Sequence, residues 1–378
     1  MDGPAFGWDV HFSPLDKLTD LRPMPTLPSR IRGLILGQAI GDALGLATEF
    51  MSREEVKRHY PQGVGHYTDM LRDAHRSRWQ PGEWTDDTAQ FLCILDSLLE
   101  HGAVKPLDIA QRIKQWSEVD GRGIGTTTLR VLEVPGYTEQ PERAAELIWR
   151  NRSRDLAPNG AVMRSSILGL WHHRDHERLW SDAQAVCSIT HHDMRCVDSS
   201  RLIAALVAAH LRDEAPPGDV ADLLPSDSDP RSLAWFQAVR DPDIAALHLD
   251  EPNSIGYTFR TASAGWWAAH HPTSFEEGLL AVVHAGGDAD TNGAVAGSVL
   301  GARFGVEAIP TRWVEGCWIG RRWRSGVSGS WPGALPLPND PGNGRGRSDQ
   351  LAARVLKVLS TTGRPSMFSR SILLRYNY

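Results

Sequence analysis

The sequence has no dense run of lysine or arginine, although 40 of its 378 residues are basic. Acidic residues number 46, so the formal net charge is -6. Proteins that bind the nucleic-acid backbone need a concentrated basic surface. The sequence therefore predicts no nucleic-acid partner.

The chain also lacks an apolar run long enough to span a membrane, and its first residues lack the basic and apolar regions of a signal peptide. None of its four cysteines, Cys93, Cys187, Cys196 and Cys317, forms a Cys-x-x-Cys pair. We therefore expect reduced, mostly buried thiols in a cytoplasmic protein with no membrane partner. None of the fifteen histidines has the spacing of a zinc site, so most are expected to be ordinary surface or core residues.

Convincing runs of alternating apolar and polar residues, typical of half-buried strands, are absent as well. Apolar residues recur at helical spacing instead, for example between residues 197 and 211. The pattern predicts an all-α fold with one domain over residues 31–318. A proline-rich extension over residues 1–30 precedes it, and residues 319–378 read as a flexible linker with one short helix.

Two acidic clusters lie far apart in the chain. Residues 84–88 read Trp-Thr-Asp-Asp-Thr, and residues 286–291 read Gly-Gly-Asp-Ala-Asp-Thr. Each supplies two carboxylates and a threonine hydroxyl, a donor set that suits Mg²⁺ or Mn²⁺. Each is also an ordinary way to begin a helix, because Asp and Thr cap helix N-termini. If the fold joins the two clusters, they form a binuclear metal site.

A glycine stripe precedes the first cluster. Gly33, Gly37, Gly41 and Gly45 are four residues apart and share one face of a predicted buried helix, which favours close packing against a neighbour. Asp42 and Glu49, seven residues apart, share another face. A carboxylate there is either merely hydrogen-bonded, a support for metal ligands, or a general base.

These segments, in this order, resemble the ADP-ribosylglycohydrolases, including the dinitrogenase reductase-activating type. The resemblance is carried by Gly-Gln-Ala-Ile-Gly-Asp-Ala-Leu-Gly…Glu-Phe over residues 37–50 and by both acidic clusters. Pro-Asn-Gly-Ala-Val-Met-Arg over residues 158–164 and Ser-Ile-Thr-His over residues 188–191 are similar to two further family elements. The resemblance covers residues 31–318.

The resemblance implies a compact multi-helix fold whose central cleft holds two divalent cations, Mg²⁺ or Mn²⁺, and takes ADP-ribose. The implied metal ligands are Thr85, Asp86, Asp87, Asp288, Asp290 and Thr291. The implied ADP-ribose contacts are Gly123, Gly125, Thr126, Asn159, Gly160, Met163, Arg164 and His191. Glu49, Asp87 and Asp290 are the expected catalytic residues, with Glu49 as the general acid or base because the other cluster carboxylates are ligands.

One position departs from the family pattern. Many relatives carry an acidic residue implicated in catalysis where this chain has Gly123. Three explanations stay open from sequence alone. Asp120 reaches in from upstream, Glu49 suffices, or the chain binds ADP-ribose with little turnover.

The implied activity is hydrolysis that removes ADP-ribose from a modified protein side chain, most plausibly arginine. Two alternatives remain open. One is an immunity protein that neutralises an ADP-ribosyltransferase toxin by hydrolysis or by plugging its active site with residues 1–30. The other is a hydrolase of free ADP-ribose conjugates.

Overall fold

The computed structural model describes residues 24–318, and this part of the chain is built from α-helices joined by loops and short 3-10 turns. The helices are α1 Leu27–Gly45, α2 Arg53–His59, α3 Asp86–His101, α4 Pro106–Val119, α5 Thr126–Leu132, α6 Pro141–Arg150, α7 Ser166–Trp171, α8 His176–Ser188, α9 Met194–Leu211, α10 Pro230–Ala238, α11 Thr258–His270, α12 Phe275–His284, α13 Ala289–Phe304 and α14 Thr311–Gly316. Residues 24–318 contain no strand beyond a single bridge between Pro158 and Tyr257, so the all-α prediction is confirmed.

Helices α1 and α13 form the buried centre of the fold and run antiparallel in direct backbone contact. A Cβ atom at Gly41 would lie 1.9 Å from the carbonyl oxygen of Gly293. Gly37 faces Gly297 in the same way, and Gly33 faces Gly301. The predicted close approach is therefore confirmed, because no residue with a side chain fits between these backbones.

This antiparallel pairing places the site. Since α1 ends where α13 begins, Gly45 lies against Ala289, the first residue of α13. The loop that carries Glu49 thus adjoins the second acidic cluster. Asp42, one turn earlier on α1, accepts hydrogen bonds from the first residues of α3. One end of α1 therefore gathers both acidic clusters.

The first helix overlaps the end of the predicted N-terminal extension. Helix α1 starts at Leu27 and so crosses the predicted boundary at residue 31. Pro28 is tolerated because the first turn of a helix needs no backbone donor, and the Thr26 hydroxyl caps that turn. Residues 1–23 of the proposed plug over residues 1–30, and the predicted linker and helix after residue 318, lie outside the described residues.

All four cysteines are buried. Among the helices within residues 24–318, none is long and apolar enough to cross a membrane.

Candidate active site

The N-terminus of α3 is fixed by a carboxylate from α1. Both oxygens of the buried Asp42 side chain accept backbone N–H groups, Oδ1 from Thr85 at 2.8 Å and Oδ2 from Thr88 at 2.9 Å. Burial raises the pKa of Asp42 to about 6, and these hydrogen bonds oppose that rise. Asp42 therefore caps the N-terminus of α3 from another helix, and it orients the turn that carries Asp86 and Asp87.

The two acidic clusters meet at this point. The Thr85 hydroxyl lies 3.0 Å from Asp87 Oδ2 and 3.5 Å from Asp290 Oδ2. Both clusters begin helices, α3 and α13, so the partial positive charges of two helix N-termini face the same space. The structure thus joins segments that are about 200 residues apart in the sequence.

Glu49 completes the carboxylate cluster. One oxygen each from Glu49, Asp288 and Asp290 lie within 4.8 Å of one another. Burial raises the pKa of Asp290 well above its usual value, and the charges of Glu49, Asp87 and Asp288 raise it further. Burial and the charge of Glu49 raise the pKa of Asp288 to about 6. Burial and neighbouring carboxylates also raise the pKa values of Asp86 and Asp87.

Such a cluster is unfavourable unless a cation accompanies it, because several carboxylates share a space largely shielded from water. Asp87 Oδ1 is buried and has no hydrogen-bond partner among the described residues. The donor set is made entirely of carboxylate and hydroxyl oxygens, which suits a hard divalent cation. The residues therefore fit a metal ion.

Asn159 links the loop at residues 157–160 to this cluster. Its side-chain amide donates to Asp288 Oδ2 at 2.7 Å and to the Thr261 hydroxyl at 2.9 Å. Its backbone N–H donates to the carbonyl of Gly256 at 2.9 Å. The structure thus brings Asn159, a predicted ADP-ribose contact, to the edge of the carboxylate cluster. An open cavity beside this loop is lined in part by Pro158, Arg195 and Tyr257.

His191 lies next to Gly160 in the same region. A Cβ atom at Gly160 would be 3.2 Å from His191 Nε2 and 3.2 Å from the Thr128 hydroxyl. Nε2 has no partner among the described residues, while Nδ1 lies 2.8 Å from the Thr190 hydroxyl. Burial lowers the pKa of His191 to about 3, so the ring is neutral at neutral pH.

Arg164 and Met163 lie deeper than a direct ligand contact would require. The Arg164 guanidinium is fully buried and donates to Gln90 Oε1 and to the Thr190 hydroxyl. Gln90 in turn donates to Asp86 Oδ2 at 3.3 Å. Met163 is buried as well. Direct contact of these two residues with ADP-ribose stays a prediction, and the geometry of Arg164 favours support of Asp86 and His191.

The loop before α5 borders the cluster from the solvent side. Gly123 has φ +88°, and a Cβ atom there would lie 2.6 Å from Asp86 Oδ1. Gly125 and Thr126 are exposed, and a Cβ atom at Gly125 would meet nothing within 4 Å. Asp120 pairs with Arg122 at 2.6 Å rather than with the cluster. The position of the missing acidic residue thus faces a predicted metal ligand.

His75 is a site residue that the sequence did not single out. Its Nε2 lies 2.5 Å from Glu49 Oε2, and its Nδ1 lies 3.0 Å from Arg78 Nη2. Next to it, Arg76 donates to the backbone carbonyl of Glu49. No motif marks His75, since its contact joins two loops 26 residues apart.

Comparisons with known proteins point to one family. A sequence model of the ADP-ribosylglycohydrolase family matches residues 23–329. The chain is 30% identical over 302 residues to the ADP-ribosyl-[dinitrogen reductase] glycohydrolase of Rhodospirillum rubrum, covering 77% of this chain and 91% of that protein. It is 28% identical over 294 residues to the ADP-ribosylarginine hydrolase Tri1 of Pseudomonas putida (strain GB-1), covering 76% and 73% of the two chains. A solved structure titled "ADP-ribosylglycohydrolase-related protein complex" superposes with a TM-score of 0.64 at 28% identity, covering 88% of this chain and 99% of the other.

Proposed function

Because this chain belongs to the ADP-ribosylglycohydrolase family and is an enzyme of that class, we propose that it removes ADP-ribose from modified arginine side chains of a protein, with two divalent cations as cofactors. The observation that carries the proposal is the convergence of Thr85, Asp87 and Asp290 with Glu49 at one end of α1. Arginine is favoured because one relative is named an ADP-ribosylarginine hydrolase. The sequence arguments favour Mg²⁺ or Mn²⁺ as the ions.

The residues that would hold the ions are Thr85, Asp86, Asp87, Asp288, Asp290 and Thr291. When bound, divalent cations supply Lewis acidity toward the ribose hydroxyls and toward water. The raised pKa values of these carboxylates support the assignment, since the ions would offset the mutual repulsion of the cluster.

Glu49 is the proposed general acid or base. Hydrolysis adds the oxygen of water to the anomeric carbon of the ribose, breaks the bond from that carbon to the guanidine nitrogen, and leaves a proton on the nitrogen. A carboxylate at the edge of the cluster can take the proton from water and return one to the leaving group. The negative charge of Glu49, Asp288 and Asp290 would also stabilise the positive charge that develops on the ribose.

The ADP-ribose would lie across the loops that border this cluster. Asn159 offers an amide beside Asp288, and His191 presents a buried, unpartnered Nε2 beside Gly160. The exposed backbone at Gly125 leaves open space for the approach of a phosphate or ribose group. The cavity lined by Tyr257 and Arg195 borders the same loop.

Two substitutions test the proposal. Asp87→Ala and Asp290→Ala should abolish hydrolysis of an arginine-ADP-ribosylated protein and lower the content of bound Mn²⁺, because each removes a ligand from an all-oxygen site. Glu54→Ala, at an exposed position on α2, is the matched control and should behave as wild type. Full hydrolysis by either metal-depleted variant would contradict the metal-dependent mechanism. A wild-type enzyme that cleaves only O-acyl-ADP-ribose would favour the hydrolase of free conjugates instead.

The immunity role of residues 1–30 as a plug for a toxin's active site must be tested with a truncation that leaves the fold intact. Removing residues 1–30 would also remove the first turn of α1 and the buried Arg30, which donates to the carbonyls of Ala302 and Arg303. A truncation of residues 1–22 leaves these contacts intact. Loss of protection against an ADP-ribosyltransferase, with the hydrolysis rate unchanged, would support an immunity role for the extension.

A further inference from the structure

Glu49 has an unusual set of neighbours for a carboxylate expected to act in catalysis. Asp288 and Asp290 lie beside it, and their negative charges repel it. His75 also contacts it, with Nε2 2.5 Å from Glu49 Oε2. Within residues 24–318 no second side chain donates a hydrogen bond to this carboxylate. Electrostatic repulsion alone would therefore turn the Glu49 side chain away from the cluster.

The hydrogen bonds around the imidazole fix its tautomer. Arg78 Nη2 lies 3.0 Å from His75 Nδ1, and a guanidinium nitrogen can only donate. Nδ1 is therefore the acceptor, so Nε2 carries the hydrogen and donates it to Glu49. Arg78 is itself held, since its guanidinium lies 4.4 Å from the ring centre of Trp79.

The ring is also held by packing. Its centroid lies 5.5 Å from that of Phe50 and 5.4 Å from that of Trp79. Phe50 directly follows Glu49 and adopts φ +60°, a left-handed conformation that is costly for a residue with a side chain. The Phe50 N–H donates to the carbonyl of Gly287, which ties this turn to the second acidic cluster.

The backbone of the loop is held by Arg76, the residue after His75. The buried Arg76 guanidinium donates from Nε to the carbonyls of Leu46 at 3.1 Å and Ala47 at 3.0 Å, and from Nη2 to the carbonyl of Glu49. The His75 side chain, by contrast, is 29% exposed. Arg76 therefore secures the backbone, and His75 is left to act on the Glu49 side chain.

We propose that His75 is a positioning residue for the reaction, which holds the Glu49 carboxylate toward Asp288 and Asp290 by donating a hydrogen bond from Nε2. The inference rests on the proposed function, because it assigns His75 its role through Glu49. It adds to that function a residue outside every motif that carries the family resemblance.

The test compares His75→Leu with His75→Gln. Leucine cannot donate to Glu49, whereas the glutamine amide offers both a donor for Glu49 and an acceptor for Arg78. His75→Leu should lower kcat for ADP-ribosylarginine about 10- to 100-fold, the range seen when a partner that orients a metal-site carboxylate is lost. KM, the Kd for ADP-ribose and the melting temperature should stay at their wild-type values. His75→Gln should recover most of kcat, and His59→Leu, at an exposed position on α2, should match wild type.

Two results would overturn the proposal. One is a wild-type kcat in His75→Leu. The other is an equal loss of kcat in both His75 variants with a lowered melting temperature, which would show a structural role.

Parallel measurements separate this inference from the proposed function. If Glu49→Gln abolishes turnover while His75→Leu is fully active, only the role of His75 falls. If the wild-type enzyme does not cleave ADP-ribosylarginine, the proposed substrate falls, and titration with Mn²⁺ alone then decides about His75. Weaker Mn²⁺ binding by His75→Leu would support the positioning role, because the negative charge of a displaced Glu49 would no longer stand beside Asp288 and Asp290. Unchanged binding would overturn it.

Discussion

Replacing Asp288 with asparagine should stabilise the metal-free protein. The substitution removes one negative charge from the crowded cluster, and the asparagine oxygen can still accept the hydrogen bond that Asn159 donates at 2.7 Å. Burial and the charge of Glu49 raise the pKa of Asp288 from 3.8 to about 6 in the folded protein. The change therefore acts mainly on charge.

The sign and size follow from proton linkage. Below pH 3.8 the carboxyl is protonated in both the folded and unfolded states, so it costs nothing. As the pH rises from 3.8 to 6, the unfolded chain gains the charge more readily than the folded one, and stability is lost. With about 1.4 kcal/mol per pKa unit, this cost is about 1 kcal/mol at pH 4.5 and on the order of 3 kcal/mol at pH 7.5.

Asp288→Asn should therefore raise the free energy of unfolding at pH 7.5 by up to about 3 kcal/mol, and by much less at pH 4.5. Histidines act in the opposite direction, since burial lowers the pKa values of His191 and His210 to about 3 and stability falls as the pH drops below 6.5. That contribution is common to both proteins and cancels in the comparison.

Thermal and urea unfolding in EDTA, at both pH values, measure the difference. Mn²⁺ at about 1,000 times its Kd should reverse the order of stability at pH 7.5. An ion at that concentration adds about 4.1 kcal/mol to a protein that binds it and little to one that has lost a ligand. Glu54→Gln is the control for a carboxylate outside the cluster. A metal-free Asp288→Asn protein that is less stable than wild type at pH 7.5 would refute the reasoning.

Three further substitutions test other parts of the site and the fold. Gly125→Val should lower ADP-ribose affinity in calorimetric titration, because the new side chain would occupy the open space proposed for a phosphate or ribose group. The melting temperature should not change, because a Cβ atom there meets no protein atom within 4 Å. Unchanged affinity would place the ligand elsewhere. Gly123→Asp should lower the melting temperature and give no gain in kcat, because the backbone φ at this position is +88° and the new Cβ would lie 2.6 Å from Asp86 Oδ1. A faster enzyme would show that the missing acidic residue limits catalysis. Gly41→Ala should destabilise the fold by more than about 3 kcal/mol in urea unfolding, because its Cβ would lie 1.9 Å from the carbonyl oxygen of Gly293 and neither backbone can move away. Gly125→Ala is the control. Equal stability of the two variants would contradict the direct packing of α1 on α13.

Much of the fold and part of the site were predictable because their signals are local. The acidic clusters are typical of helix N-termini, and the first does begin helix α3, which Gly102 ends in a left-handed conformation. The glycine stripe predicted close approach to a neighbour because four-residue spacing places its members on one helix face. The acidic clusters showed their donor chemistry directly, and the order of the motifs indicated the family.

The sequence by itself thus determined which residues begin helices, which helix face packs closely, and which side chains have metal-binding chemistry. The tertiary structure alone decided which distant groups meet. It assigned Asp42 to the cap of α3, buried Arg164 behind Asp86, and brought His75 to Glu49. The physical reason is that periodicity and capping depend on neighbours within a few residues, whereas these contacts join separate loops and helices whose approach is set by the packing of α1 against α13.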